Sequence, residues 1–320
     1  MVAAQNPPMP VHRLRRSAVA VTALGLGAAP LGNLYTPTSD EDARAVVDAA
    51  WAGGVRYFDT APHYGLGLSE RRLGDALRER PRDAFVVSTK VGRLLVPNPR
   101  PTGTDPDLFA VPDDLTRQRD YSADGVRRSL EASLERLGLD RVDIVLVHDP
   151  DEHLDQTVGE ALPALVALRE QGVVGAVGVG TSDWRALQRV VAETAVDVVM
   201  VAGRWTLVDR RAEPLMADAE RRGVSVLAAA PYNSGLLAAP TPPEDARFDY
   251  GPAPAHLLAE AHRWADAARA GGVDLPDLAL QFPLRHPATA AVVVGLRTAA
   301  EAEAALRRLH RSVPPSVWDR

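Results

Sequence analysis

Short, uninterrupted apolar runs alternate with helical stretches along nearly the whole chain, and this alternation restricts the possible folds more than any other feature. Eight runs read as strands: VTALGLG, VRYFDT, AFVVSTK, VDIVLVH, VVGAVGVG, VDVVMV, VSVLAAA and AAVVVG. They are continuous rather than alternating, as expected of strands buried on both faces of a parallel sheet. Helical stretches lie between them. DEDARAVVDAAWAGG is opened by Ser39 or Asp40 and closed by glycine, and in TVGEALPALVALREQG a distortion is expected at Pro163. Eight β/α units predict an α/β chain forming a single (β/α)8 TIM barrel over residues 1–320. A doubly wound open sheet is the competing arrangement. Its dinucleotide fingerprint G-x-G-x-x-G is missing, because in GLGAAPLG the third glycine, Gly32, follows Gly25 and Gly27 too late.

Two segments are longer than ordinary connections and rich in proline and aspartate: residues 92–121 and 236–252. They follow the third and seventh strands, so both are expected as long loops on the C-terminal face, where active sites of such barrels lie. The segment RLRRSAVAVTALGLGAAPLG needs separate reading. Arg15 and Arg16 precede a small-residue apolar run, the form of an export signal. The reading favoured here is a first strand and glycine-rich loop, since Pro30 and Gly32 lead into a helix start.

No stretch is apolar and long enough to span a membrane, and a net charge of −6 gives no reason to expect nucleic acid or an anionic membrane as partner. There is no cysteine, which excludes disulfides, thiol catalysis and thiolate metal sites. The expectation is a cytoplasmic monomer or small homo-oligomer acting on a small molecule.

Of the 36 basic residues, 35 are arginine; the single lysine is Lys90. Drift toward arginine codons explains the 35 but not the survivor. Lysine carries a compact ammonium whose pKa shifts on burial, and arginine does not. Asp59, Lys90 and His148 each fall at the C-terminal end of a predicted strand, and Tyr64 follows Asp59 in FDTAPHYG beside His63. Barrel closure would bring these groups to one mouth. A rival constellation is HDPDEH, with His148, Asp149, Asp151, Glu152 and His153 in six residues. Metal-dependent barrel hydrolases collect such ligands, but here they crowd one loop and no H-E-x-x-H spacing occurs, so no metal is expected.

FDTAPHYG, STKVG, VLVHDP, APYNSGLL and VVVGLRT, in this order, resemble the aldo-keto reductases over essentially the whole chain. The resemblance implies a catalytic tetrad of Asp59, Tyr64, Lys90 and His148, and an NAD or NADP cofactor across the barrel mouth. Hydride would pass between nicotinamide and a carbonyl carbon. Lys90 would lower the pKa of Tyr64, Asp59 would orient the lysine, and His148 would hold the substrate oxygen.

For the cofactor the resemblance implies Gly27, Ala28, Asp59, Thr181, Ser182, Asp183, Met200, Gly295, Arg297 and Glu301. Tyr232 would stack on the nicotinamide, with backbone groups of Asn233, Ser234, Gly235 and Leu236 on the pyrophosphate. Ser182-Asp183 stands where the family has Ser-Asn, and Met200 falls near its usual glutamine. Substrate contacts are expected from Tyr35, His63, Tyr64, His148 and Trp205. With Glu301 where NADP-dependent relatives often carry a basic residue, the expectation leans to NAD. GRWTLVD, APYNSGLL and STKVGRLL look most like the aldose 1-dehydrogenase branch (L-fucose, L-galactose or D-threo-aldose), which oxidises C1 to the lactone. A general aldehyde or ketone reductase and a cofactor-binding regulatory subunit are the alternatives.

Overall fold

The computed structural model describes residues 8–249 and 251–319; the outermost ends of the expected 1–320 domain lie outside these. Eight parallel strands close a barrel. They are β1 (Leu24–Gly27), β2 (Tyr57–Asp59), β3 (Val86–Val91) and β4 (Ile144–His148), then β5 (Ala176–Thr181), β6 (Val198–Ala202), β7 (Ser225–Ala229) and β8 (Thr289–Gly295). β8 pairs with β1 to close the ring, with Gly295 in register with Gly27, and Gly27 is in register with Asp59 on β2. The continuous apolar runs are explained by two apolar layers. One lies between strands and helices, and the other, including Tyr57, Leu146, Met200 and Leu227, fills the barrel interior.

The expected first strand is split. Ala20–Thr22 leaves the barrel run and pairs antiparallel with Val11–Arg13, and only Leu24–Gly27 joins the barrel. The hairpin closes the N-terminal end: its Leu14 and Val21 join the interior cluster. Arg15 and Arg16 sit in its turn. Arg15 donates to the Pro287 (2.7 Å) and Glu220 (3.3 Å) carbonyls, and Arg16 to those of Arg222 (2.6 Å) and Val196 (3.1 Å). The carbonyls at Glu220 and Arg222 belong to the last turn of helix Glu213–Arg222, where helices carry unsatisfied acceptors and partial negative charge.

Ser39 caps helix Asp40–Ala52. The distortion expected at Pro163 is a π turn, Thr157–Ala161, set between the short helix Leu154–Gln156 and helix Leu162–Glu170, so the widened turn lies where the proline ring would otherwise meet the carbonyl four residues before it.

The two long segments are not plain loops. Residues 92–121 contain an antiparallel ribbon, Arg93–Pro97 with Leu115–Arg119, closed by Asp113, whose carboxylate accepts from the Thr102 (2.6 Å) and Gly103 (2.7 Å) N–H groups. The other ends in a two-residue ladder, Arg247–Phe248 with Gly251–Pro252, and is tied to the end of β6 by an Arg204–Asp249 ion pair at 2.7 Å.

Candidate active site

Asp59 ends β2, Lys90 lies one residue before the end of β3, and His148 ends β4. Three adjacent strands therefore deliver three polar groups to one side of the mouth. Lys90 Nζ donates to Asp59 Oδ2 (2.7 Å), the Thr60 carbonyl (3.0 Å) and the Tyr64 hydroxyl (3.1 Å). Burial opposes its charge, but Asp59 and Tyr64 together raise its pKa above the ordinary lysine value.

A second chain of hydrogen bonds holds the other oxygen of Asp59. Ser88 Oγ donates to Oδ1 at 2.7 Å, and the buried Tyr57 hydroxyl lies 3.0 Å from Ser88. Tyr57 fits inside the barrel because residue 25 is glycine: a Cβ there would come 2.6 Å from the tyrosine ring.

The turn carrying Tyr64 is pressed against the loop after β1. A Cβ on Gly32 would lie 2.6 Å from the Tyr64 carbonyl carbon, and Gly65 adopts φ +61° on the other side of the contact. Rings surround the phenol. His148 lies 5.8 Å from Tyr64, His63 lies 5.5 Å from His148, and Phe109 of the 92–121 segment is 6.1 Å from Tyr64.

This enclosure sets the electrostatics. Burial pushes Tyr64 up to about 12, outweighing the opposing pull of Lys90. The expectation that Lys90 lowers the phenol's pKa is right in sign, but desolvation is larger. Burial likewise pushes His63 down to about 2 and His148 well below its usual value, with Arg93 assisting in both cases. Both imidazoles are therefore neutral, and each buries an Nδ1 with no partner among the described residues.

Beside Asp59, Gly27 and Gly295 sit side by side at the ends of β1 and β8, and Ala28 follows, its N–H on the Asp59 carbonyl at 2.8 Å. The backbone after β7 is contorted, with positive φ at Ala230, Asn233 and Ser234, and a buried Asn233 Oδ1 has no partner among the described residues. The lack of side chains at Gly27 and Gly295 and the open amide oxygen of Asn233 suit a flat, polar cofactor. Thr181 ends β5, Ser182 follows it, and Asp183 caps helix Trp184–Glu193 by accepting from the Arg185 N–H at 2.9 Å. Arg297 donates to the Thr36 carbonyl and Thr38 Oγ1, both at 3.0 Å, while Glu301 accepts from its backbone N–H at 2.7 Å.

Several expected contacts are not formed. Trp205 is buried in the outer layer, 5.3 Å from Phe282, with its indole N–H on the Pro283 carbonyl. It does not line the substrate side of the mouth. Tyr232 also turns outward and meets Arg308 of the last long helix at 3.4 Å, so it is not placed to stack on nicotinamide. The N–H groups of Asn233, Gly235 and Leu236 close local turns on Ala230, Tyr232 and Asn233, and the Leu236 side chain is in the core. Met200 faces the barrel interior beneath the mouth. Tyr35 is at the rim, its N–H on the Leu108 carbonyl.

The sequence reading missed Phe109, Arg93 and Arg117. Arg93 pairs with Asp149 at 2.6 Å, and Arg117 with Asp105 at 2.5 Å and with the His63 carbonyl at 2.8 Å. The density of aspartate and arginine in the long segment was their only signal.

The profile of the Aldo/keto reductase family matches residues 23–320. The chain is 48% identical to a D-threo-aldose 1-dehydrogenase of a Pseudomonas species, covering 94% of this chain and 93% of that one. It is 38% identical to the pyridoxal 4-dehydrogenase of Microbacterium luteolum (95% and 94%) and 32% identical to the L-galactose dehydrogenase of Arabidopsis thaliana (92% and 86%). The holo form of an aldo-keto reductase from Bacillus halodurans superposes with a TM-score of 0.76 at 24% identity, covering 96% of this chain and 93% of that one, and shows the same fold.

Proposed function

This chain belongs to the aldo/keto reductase family and is an NAD(P)-dependent oxidoreductase, and from that premise we propose that it oxidises an aldose at C1 to the lactone with NAD as the preferred carrier. The observation that carries the catalytic reading is Lys90 Nζ bonded at once to Asp59 and to the Tyr64 hydroxyl. The bound nicotinamide supplies hydride acceptance or donation. Every other task falls to side chains. Neutral His148 orients the substrate oxygen. Tyr64 gives that oxygen a proton in reduction and takes one from it in oxidation, when the C1–O bond becomes a carbonyl. Lys90 stabilises the phenolate that oxidation requires, and Asp59, fixed through Ser88, keeps the ammonium in place.

In this reading His63 and Tyr35 contact the substrate, and Gly27, Ala28, Thr181, Ser182, Asp183, Ser234 and Gly295 contact the cofactor. The NAD preference is supported by Glu301, whose carboxylate occupies the start of the last long helix, where a 2′-phosphate would otherwise seek donors. Residues 1–320 act as one domain on a small sugar or carbonyl compound. A cytoplasmic location is supported by Arg15 and Arg16, which are built into the barrel floor.

A second reading, general aldehyde reduction, is favoured by one observation: Phe109, Leu66 and Val111 form an apolar cluster against Tyr64. Assay of free sugars and aromatic aldehydes in both directions separates the two. Oxidation of aldoses is expected, and its complete absence would overturn the first reading.

A further inference from the structure

We propose that Asp149 selects substrates bearing a hydroxyl on the carbon next to the reacting one. This rests on the reading of His148 and Tyr64 as the groups that hold the reacting oxygen.

Asp149 directly follows His148, and its Oδ2 lies 3.5 Å from His148 Nε2. Its φ of +40° is a left-handed conformation unusual for a residue other than glycine. The surroundings impose it. Its N–H donates to the Gly180 carbonyl at 2.9 Å, and the buried Tyr121 hydroxyl is 2.9 Å from the His148 carbonyl and 3.0 Å from that of Asp149. Arg93, at the root of the ribbon, donates to Oδ2 at 2.6 Å and fixes the carboxylate. Oδ1 has no protein partner among the described residues, and the side chain is 36% exposed. A carboxylate is thus strained into place, clamped by one oxygen and left open at the other, beside the imidazole that positions the substrate.

Oxygens on adjacent carbons of a sugar lie about one hydrogen-bond length apart. A substrate whose reacting oxygen accepts from His148 Nε2–H therefore brings its neighbouring hydroxyl to Asp149, which can only accept. A compound without that hydroxyl leaves the carboxylate unanswered on desolvation. The site favours 2-hydroxycarbonyl compounds as a class, of which aldoses are members.

The test is reduction of glycolaldehyde against acetaldehyde, which differ by this one hydroxyl. The wild type is expected to prefer glycolaldehyde in kcat/KM by about tenfold or more, the range of a hydrogen bond to a charged group. Asp149→Asn, which tolerates the left-handed backbone, is expected to lose most of that preference, read as the ratio of the two kcat/KM values so that any general loss of turnover cancels. Arg93→Gln, which releases the carboxylate, is expected to reduce the preference partway and serves if the first variant fails to fold. An unchanged ratio in the variant, or no preference in the wild type, overturns the proposal while leaving the oxidoreductase reading intact. Failure of the wild type both to reduce either aldehyde and to oxidise any aldose overturns the reading of His148 and Tyr64 as the groups that hold the reacting oxygen, and the proposal with it.

Discussion

Gly32 lies against the backbone of Tyr64 so closely that a single added methyl group would come 2.6 Å from the tyrosine's carbonyl carbon. The obstacle is main chain, which cannot rotate away. Gly32→Ala is therefore expected to displace the Tyr64 turn, lowering turnover by tenfold or more, at a cost of about 1–3 kcal/mol of stability. Steady-state kinetics beside a urea titration would show whether activity falls further than the folded fraction explains.

Lys90 touches three oxygens through one compact ammonium. Lys90→Arg keeps the charge and changes its shape, so a folded protein with turnover reduced by about 10²–10⁴-fold is expected. Tyr64→Phe should be equally silent and still bind cofactor, read by quenching of tryptophan fluorescence. Near wild-type rates in the lysine variant would remove the proposed role of Lys90.

With Tyr64 held near 12 by burial, the phenolate is a small fraction at lower pH and grows about tenfold for each unit the pH is raised toward that value. Oxidation needs the phenolate and is expected to accelerate between about pH 7 and 10, whereas reduction needs the phenol and should stay nearly level over the same range. Parallel profiles in the two directions would contradict this assignment.

Glu301 occupies the donor a phosphate would want. The wild type is expected to prefer NAD in kcat/KM, and Glu301→Gln to shift the ratio toward NADP by about tenfold, some 1.4 kcal/mol. A tenfold wild-type preference for NADP would reverse the reading.

Glu70 is completely buried, with Arg136 at 2.6 Å and Thr89 donating at 2.8 Å, which joins two helices to the strand that carries Lys90. Arg136→Met strands the carboxylate and is expected to cost about 3–5 kcal/mol, and adding Glu70→Gln should restore much of it. Denaturant unfolding of the single and double variants gives the comparison.

The tetrad was legible in the sequence because a strand end fixes both the height and the direction of a side chain. Asp59, Lys90 and His148 needed only the strand assignments and the closure of the ring. Residues a few positions beyond a strand end carry no such information. Gly203 at φ +68° and Ala230 at φ +54° turn the chain before Trp205 and Tyr232, so both aromatic residues face the outer helices. Nothing in the side-chain pattern announces those dihedrals. The ribbon was hidden for a related reason: prolines and aspartates mark its tip, while the pairing depends on contacts of Leu95 and Leu115 with the Tyr64 cluster, distant in sequence.

The solitary lysine has a chemical consequence beyond the site. Free aldehydes and open-chain sugars condense with unprotonated primary amines to give Schiff bases, and on most proteins surface lysines are the targets. Here the only ε-amine is 2% exposed and held as an ammonium by Asp59. The other basic side chains are guanidinium groups, which stay protonated and are poor nucleophiles. Apart from its amino terminus, the chain offers reactive carbonyl compounds no ready amine, so a protein handling such compounds is spared slow glycation of its own surface.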